Sequence, residues 1–158
     1  MTPNNSVEIL GVKILKNQLK INENFPVQIL FEIKEILKEK LEIKFVYVQT
    51  PGDINKDQEL GLYEIPGDKK GKFKVNFLLN TPSLYFPESL DSFGITLLLI
   101  QFCYKKIEFT RVGYYVNNYL NGPVETDSEA KIFIKASSIQ RSILIDEPRV
   151  TKFSTKLI

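Results

Sequence analysis

GITLLLIQF, residues 94–102, is rich in strand-forming residues, but it lacks the apolar–polar alternation of a strand with one face in water. Side chains alternate between the two faces of a strand, so Leu98 and Ile100 point one way while Leu97 and Leu99 point the other. One of these faces can enter a hydrophobic core. The other face is either covered by the protein itself, as in a central buried strand, or left as an apolar patch for a partner.

Segments with strand periodicity recur along the whole chain and are separated by turn sequences rich in Pro, Gly, Asn and Asp. The predicted strands are 7–15, 25–33, 41–47, 60–65, 73–79, 131–134, and a long hairpin of 93–104 and 107–117 that turns at Lys105 and Lys106. Many short strands without a long helix predict an all-β protein built as an antiparallel β-sandwich or barrel.

Two segments fit a helical pattern as well as any strand pattern. Residues 34–41 predict either one helical turn or a tight connection. The apolar face of such a turn would consist of Ile33, Ile36, Leu37 and Leu41. Residues 137–144 predict a short helix that Pro148 would stop. The inward side chains of this helix would be Ile139, Ile143 and Leu144.

The composition is that of an ordinary globular protein, with 43% hydrophobic and 25% charged residues. A length of 158 residues predicts one domain, residues 1–158. The formal net charge of +2 is too small to indicate nucleic-acid binding. The polar start of the chain predicts no secretory leader, and no apolar run approaches the ~20 residues of a membrane helix.

Histidine is absent and Cys103 is the single cysteine of the chain. An intrachain disulfide is therefore impossible, and zinc sites and nucleophile–histidine pairs are excluded. Carboxylate pairs, lysine bases and Mg²⁺ sites stay open on composition alone, although we predict neither a metal site nor a cofactor for this chain. The lone thiol is expected to fill a small apolar space on the face that carries Leu97 and Leu99.

RVGYYVNN, residues 111–118, forms the second strand of the predicted hairpin. The core face of this strand would carry Val112, Tyr114 and Val116. Arg111 and Tyr115 would then lie on the opposite face, beside the two leucines of the first strand. Leucine, tyrosine and arginine are residue types that anchor protein–protein interfaces, which favours an interaction surface here.

Acidic residues gather in two predicted loops, 50–59 and 87–91. They would form a charged rim around such a surface, although loop aspartates often serve only turn geometry. A carbohydrate-active β-sandwich is a separate hypothesis, and its catalytic carboxylates would be Asp53, Asp57 or Asp91.

EFTRVGYYVNN, residues 108–118, resembles the anti-silencing-function family of histone chaperones. The resemblance is supported by GITLLLI at 94–100, SSIQRSIL at 137–144 and EPRVTKF at 147–153, and weaker similarity extends from Val7 to Phe153. It implies an immunoglobulin-like β-sandwich that acts as a monomeric binding protein and not as an enzyme, without a cofactor. It also implies a nuclear location with a cytoplasmic pool.

The partner implied by this resemblance is a dimer of histones H3 and H4. The protein would cover the surface through which two such dimers form a tetramer, and would pass the dimer to nucleosome-assembly factors. The second face of residues 94–102 would then meet the C-terminal helical region of histone H3. The matching histone-binding positions are Leu97, Leu99, Arg111, Tyr115, Asp57 and Asp91. The C-terminal tail of histone H4 would add as a strand beside Arg149, Val150 and Thr151.

A second site is implied opposite the histone face, where family members hold a basic hairpin peptide of an assembly factor. The matching positions are Glu39, Lys40, Tyr63 and Ile65. Lys40 stands where the family commonly has an acidic residue, which weakens the expected ion pair with a basic peptide. Gly52 also replaces a usual acid, and the mildly basic chain should be steered less toward histones. A peptide-binding scaffold that uses only this groove is therefore the alternative function, and no direct contact with nucleic acid is expected.

Overall fold

The computed structural model describes residues 6–50, 54–82, 94–121, 125–126, 128–129, 132–133 and 138–153. In these ranges the chain forms twelve β-strands and one short 3-10 turn, Ile54–Lys56. The strands are β1 (Val7–Ile14), β2 (Gln18–Lys20), β3 (Phe25–Ile33), β4 (Leu41–Val48), β5 (Gln58–Ile65), β6 (Gly71–Leu79), β7 (Gly94–Tyr104), β8 (Ile107–Leu120), β9 (Glu125–Thr126), β10 (Ile132–Phe133), β11 (Ile139–Ile143) and β12 (Arg149–Lys152). Within the same ranges there is no helix with the length and apolar character needed to span a membrane.

The strands form two main antiparallel sheets. The larger sheet has seven strands in the order β2-β11-β8-β7-β4-β5, and β12 also pairs with β8. The smaller sheet has the order β1-β3-β6, and β9 pairs with β10 apart from both. Antiparallel sheets that curl into a half-barrel agree with an immunoglobulin-like β-sandwich, so the all-β prediction is confirmed.

The hydrophobic core lies between the two sheets and is supplied by alternate residues of the long strands. In β3 every second side chain is fully buried, from Phe25 to Ile33. Leu98 and Ile100 of β7 are also fully buried in this core. Tyr114 of β8 faces inward as predicted, and its hydroxyl donates to the Val12 carbonyl of the smaller sheet over 3.3 Å.

Most strands match the sequence prediction within a few residues, but β2, β9 and β12 were not predicted. The helix predicted at 137–144 is wrong, because this segment contains strand β11, which pairs with β2 and β8. Ile139, Arg141 and Ile143 point inward, while Leu144 lies beyond the strand and is exposed. The strand was missed because the charged Arg141 occupies a buried position, where the alternation of a strand predicts an apolar residue.

Arg141 is fully buried although it carries a charge. Its guanidinium lies 5.5 Å from the ring centroids of both Phe25 and Tyr47, an arrangement that stabilises a cation through the aromatic faces. Nη2 donates to the Pro82 carbonyl at 3.5 Å, whereas Nε and Nη1 have no hydrogen-bond acceptor among the described residues. Burial therefore lowers the pKa of this guanidinium.

Residues 34–40 form an irregular connection and not a helical turn, so the tight connection is the correct alternative. Leu37 is buried, whereas Ile36 is 62% exposed, so the four apolar residues of the helical alternative do not share one buried face. The connection is held by the Tyr104 hydroxyl, which accepts hydrogen bonds from the amides of Lys38 and Glu39 at 3.0 and 3.1 Å.

The predicted hairpin of β7 and β8 is confirmed, and its two-residue turn is Lys105 and Lys106. Both residues have positive φ angles, 50° and 67°, as a type I′ turn requires. Lysine adopts this left-handed conformation at a cost, because its Cβ approaches the backbone. Asparagine and glycine are the residues that such turns prefer.

Replacing the turn by Lys105→Asn and Lys106→Gly should increase the free energy of unfolding by about 1 kcal/mol, because the positive φ angles are less strained. Urea unfolding measures this change. The control, Lys105→Ala with Lys106→Ala, removes the same side-chain contacts but keeps the strain, so it should give no gain. An Asn-Gly variant no more stable than the parent would contradict the turn assignment.

Candidate functional site

The outer face of the larger sheet carries an apolar patch centred on β7. Leu97 lies between Val48 of β4 and Tyr115 of β8, and Leu99 lies between Val46 and Gly113. We define the apolar patch by the side chains of Val46, Val48, Leu97, Leu99 and Tyr115. Directly paired residues of an antiparallel sheet share a face, so these side chains form one continuous surface on three adjacent strands.

The patch lies outside the main core. Val46 is only 9% exposed, yet it does not belong to the cluster of buried residues between the sheets. Leu97, Leu99, Tyr115 and Val48 are partly exposed. The prediction that Leu97 and Leu99 face away from the core is confirmed.

Gly113 allows the two leucines to pack closely over β8. A Cβ atom at this position would lie 3.3 Å from Cδ2 of Leu99 and 3.5 Å from Cδ1 of Leu97. The glycine is itself buried and pairs with Arg149 of β12. A Cβ atom here would require Leu99 to shift by a few tenths of an ångström and would touch Leu97 at an ordinary contact distance, so Gly113 helps to set the shape of the patch.

Two arginines flank the aromatic side of the patch. The Arg111 guanidinium donates two hydrogen bonds to the carboxylate of Glu108, at 2.6 and 3.2 Å, and lies 5.6 Å from the Phe153 ring centroid. The Arg149 guanidinium lies 5.4 Å from the ring centroid of Tyr115. These contacts hold both cations in place beside the apolar side chains.

Ion pairs on β4, β5 and the hairpin turn border the other end of the patch. Lys44 lies 3.9 Å from Glu59, and Lys106 lies 3.3 Å from Glu42. An apolar centre with a charged border is the usual anatomy of a protein–protein interface. Because these pairs are exposed, each contributes little to stability and can exchange partners with another protein.

A small pocket opens at one side of the sandwich, between β1 and β12. Its volume is about 170 Å³, and its lining includes Ile9, Val112, Tyr114, Pro148 and Val150. Val150 is 58% exposed, which is unusual for an apolar residue in a strand. We call this cavity the edge pocket. β12 pairs only with β8 among the described strands, so its other edge is open beside the pocket.

A wider groove opens at the other side of the sandwich, between the edge strands β5 and β6. We call it the β5–β6 groove; its volume is about 330 Å³ and its apolar lining is Phe31, Ile65, Pro66, Phe73 and Val75. Ile65 lines this groove, whereas Tyr63 packs its ring against Phe45 and Phe77, with centroid distances of 5.8 and 4.7 Å. Glu39 and Lys40 lie on the exposed connection before β4, where Lys40 is 3.5 Å from Glu64.

The predicted acidic positions are only partly placed. Asp57 is exposed and follows the 3-10 turn, where its amide donates to the Ile54 carbonyl over 3.2 Å. Asp53, Asp91 and Gly52 lie outside the described residues. Thr151 pairs with Arg111 on the outer face, next to Arg149. In the described part of the chain no three His, Cys, Asp or Glu residues are grouped so that they could hold a metal ion.

Sequence reasoning missed three residues of this surface: Val46, Val48 and Gly113. The signal for the valines was the apolar run of residues 45–48 in β4, which resembles the run of residues 97–100 in β7. The signal for Gly113 was a glycine inside a strand, which often marks the close approach of other groups.

Comparison with known proteins gives this surface a context. A family model described as "ASF1 like histone chaperone" matches residues 4–157. The chain belongs to this family. The resemblance carried by residues 108–118 is therefore confirmed at the level of the whole sequence.

Three relatives illustrate the family. The histone chaperone cia1 of Schizosaccharomyces pombe is 35% identical over 153 residues, which are 94% of this chain and 58% of that protein. ASF1 of Saccharomyces cerevisiae is 35% identical over 94% of this chain and 53% of its own length. The Emericella nidulans protein asf1 is 36% identical over 95% of this chain and 53% of its own. The chain thus spans a little over half the length of these relatives.

Cys103 lies on the same face as the patch and pairs with Glu108 across the hairpin. Burial raises the pKa of its thiol, and the carboxylates of Glu108 and Glu42 raise it further. The thiolate fraction near neutral pH should therefore be smaller than that of a free cysteine. Alkylation by iodoacetamide at pH 8 should be at least about tenfold slower in the folded protein than in urea.

The pH dependence of the alkylation rate tests whether nearby carboxylates contribute to the raised pKa of the Cys103 thiol. Removing one negative charge with Glu108→Gln should move the rate profile to lower pH. Equal rates in the folded and unfolded chain would contradict the assignment, and an unchanged profile in the variant would exclude a contribution from Glu108.

Proposed function

We propose that this protein is a histone chaperone that binds a dimer of histones H3 and H4 through the apolar patch. The observation that carries the proposal is the partly exposed row of Leu97, Leu99 and Tyr115 on the outer face of a sheet, in a chain that belongs to a histone-chaperone family. The protein would act on histones in the nucleus, as the names of its relatives suggest, and a cytoplasmic pool is part of the proposal.

The mechanism is competition for a surface. The patch covers the C-terminal helical region of histone H3, through which two dimers otherwise form a tetramer. Burying the leucines and Tyr115 supplies most of the affinity, since apolar and aromatic anchors at the centre of an interface dominate its energetics. Arg111 and the exposed Asp57 bind complementary charges at the border, and these contacts affect association rate more than affinity. We include Asp91 in this border on the basis of the family resemblance.

The edge pocket provides a second contact with the same dimer. The C-terminal tail of histone H4 adds as a strand along the open edge of β12, at Arg149, Val150 and Thr151. Backbone hydrogen bonds give affinity in this mode, and one tail side chain fills the apolar edge pocket. The patch and the pocket lie on opposite faces of β8 near its contact with β12, so one extended partner can reach both.

The β5–β6 groove supports a second proposed activity, the binding of a peptide from a nucleosome-assembly factor. The groove is apolar and lies on the side of the sandwich away from β12, so a dimer on the patch leaves it open. Glu39, Lys40 and Ile65 are the proposed contacts, whereas Tyr63 supports the groove from the core side. A pull-down with purified core histones separates a chaperone from a scaffold that uses only this groove.

Leu97→Arg should weaken binding of the H3–H4 dimer by at least about 2 kcal/mol, roughly thirtyfold, because a charge would be buried at the centre of the interface. The fold should persist, since Leu97 is partly exposed in the free protein. Isothermal titration calorimetry measures the affinity and thermal melting measures the fold. The matched control is Leu78→Arg on the smaller sheet, where the side chain is 64% exposed. Equal histone affinity of the Leu97 and Leu78 variants would refute the placement.

Val150→Asp should weaken the same complex roughly fivefold to tenfold, because a carboxylate would replace the apolar wall of the edge pocket. Deleting the C-terminal tail of histone H4 should have a similar effect. If both changes remove the same contact, the complex that carries both changes should bind as tightly as the complex that carries either one. A double-mutant cycle measures this coupling. Fully additive effects on the affinity would show that the histone H4 tail does not bind in the edge pocket.

A further inference from the structure

Two neighbouring segments, residues 34–40 and 66–74, carry a net positive charge, and we call them the basic rim. Together they contain seven lysines and three carboxylates, although the net charge of the whole chain is only +2. The amide of Leu37 donates to the Gly67 carbonyl over 2.8 Å, so the two segments touch. The remainder of the chain is therefore slightly acidic. Since Glu8 and Glu64 pair with Lys34 and Lys40, the unneutralised positive charge of the rim lies mainly at residues 69–74.

The basic rim borders the β5–β6 groove. Lys69 and Lys74 line the groove itself, and Asp68 is the one carboxylate of its lining among the described residues. Lys70 and Lys72 are exposed beside them. In the described ranges none of these four lysines forms an ion pair. The groove thus combines an apolar floor with the ammonium groups of Lys69 and Lys74, which form no ion pair with any carboxylate of the described ranges.

Protection of an edge strand is the simpler explanation for some of these lysines. β6 is the outer strand of the smaller sheet, and lysines on such strands hinder pairing with other chains. This explanation covers Lys72 and Lys74, which lie on β6. It does not cover Lys69 and Lys70, which precede the strand, or the apolar groove beside them.

We propose that the β5–β6 groove binds an extended acidic peptide, with one aliphatic side chain on the apolar floor and carboxylates beside Lys69, Lys70 and Lys74. This rests on the proposed function, because it specifies the partner of the second site. It departs from the basic hairpin that the family resemblance implies, since basic side chains would meet like charges at this rim. Lys40 adds to the mismatch, because its ammonium group lies 3.5 Å from Glu64 and would compete with a basic peptide for this carboxylate.

The test uses fluorescent peptides of about twelve residues that have a central isoleucine and flanks of Asp and Glu. A twin has Lys and Arg flanks, and a second twin has serine in place of isoleucine. Fluorescence anisotropy should give at least about tenfold tighter binding of the acidic peptide than of its basic twin at low salt, and the difference should shrink as salt rises. The serine twin should bind more weakly than the isoleucine peptide, because it cannot use the apolar floor.

The variant Lys69→Glu with Lys74→Glu should reverse the preference between acidic and basic peptides. The matched control is Lys13→Glu with Lys20→Glu, which makes the same charge change at exposed lysines outside the groove and should keep the preference for the acidic peptide. Tighter binding of the basic peptide by the parent protein would overturn the proposal, and so would binding of neither peptide. Equal affinity for the serine and isoleucine peptides would also overturn it, because only diffuse charge attraction would then be acting.

The proposal for the groove and the proposal for the histone surface can be tested independently. Leu97→Arg should leave the affinity for the acidic peptide unchanged, and the Lys69 and Lys74 variant should leave histone affinity unchanged. A protein that binds the acidic peptide without binding histones would refute the proposed chaperone function and keep the groove. A protein that binds histones but not the acidic peptide would refute the proposed ligand of the groove and keep the proposed chaperone function.

Discussion

The packing of β7 and β8 against the core is the constraint on which the rest of this structure depends. Leu98 and Ile100 fill the space between the sheets, and this fixes the register of the hairpin. A slip of one residue would exchange the two faces of the strand and move these side chains out of the core. With the register fixed, Leu97 and Leu99 must face outward. The apolar patch is therefore a direct consequence of how the core is filled.

The two open sides of the sandwich arise from the same architecture. β8 is longer than its neighbours, so one edge carries both β11 and β12, and the short β12 stops beside the smaller sheet. This leaves the edge pocket between β12 and β1. At the far side β5 and β6 are both outermost strands, and the β5–β6 groove lies between them. A sandwich of unequal sheets thus separates one broad face from two narrow openings.

Periodicity predicted most of the fold because the long strands alternate strictly between core and surface, as β3 does. It failed at β11, where Arg141 takes a core position between two aromatic rings, which no rule of hydrophobic alternation anticipates. It also failed for the short strand β2, because three residues are too few to show a period. The face of Leu97 and Leu99 could be predicted from the hairpin alone. The partnership with Val46 and Val48 could not, since it depends on the register between β4 and β7.

The distribution of charge separates the two kinds of recognition that this sandwich can perform. Around the patch, cations already have partners: Arg111 binds Glu108, Arg149 lies over Tyr115, and the lysines near β4 pair with glutamates. The patch therefore has little net field, and apolar contact and shape must select what binds there. At the basic rim, Lys69, Lys70, Lys72 and Lys74 form no ion pair within the described ranges, so charge can select the occupant of the β5–β6 groove. Binding at the patch should accordingly depend weakly on salt, whereas binding at the groove should depend on it strongly.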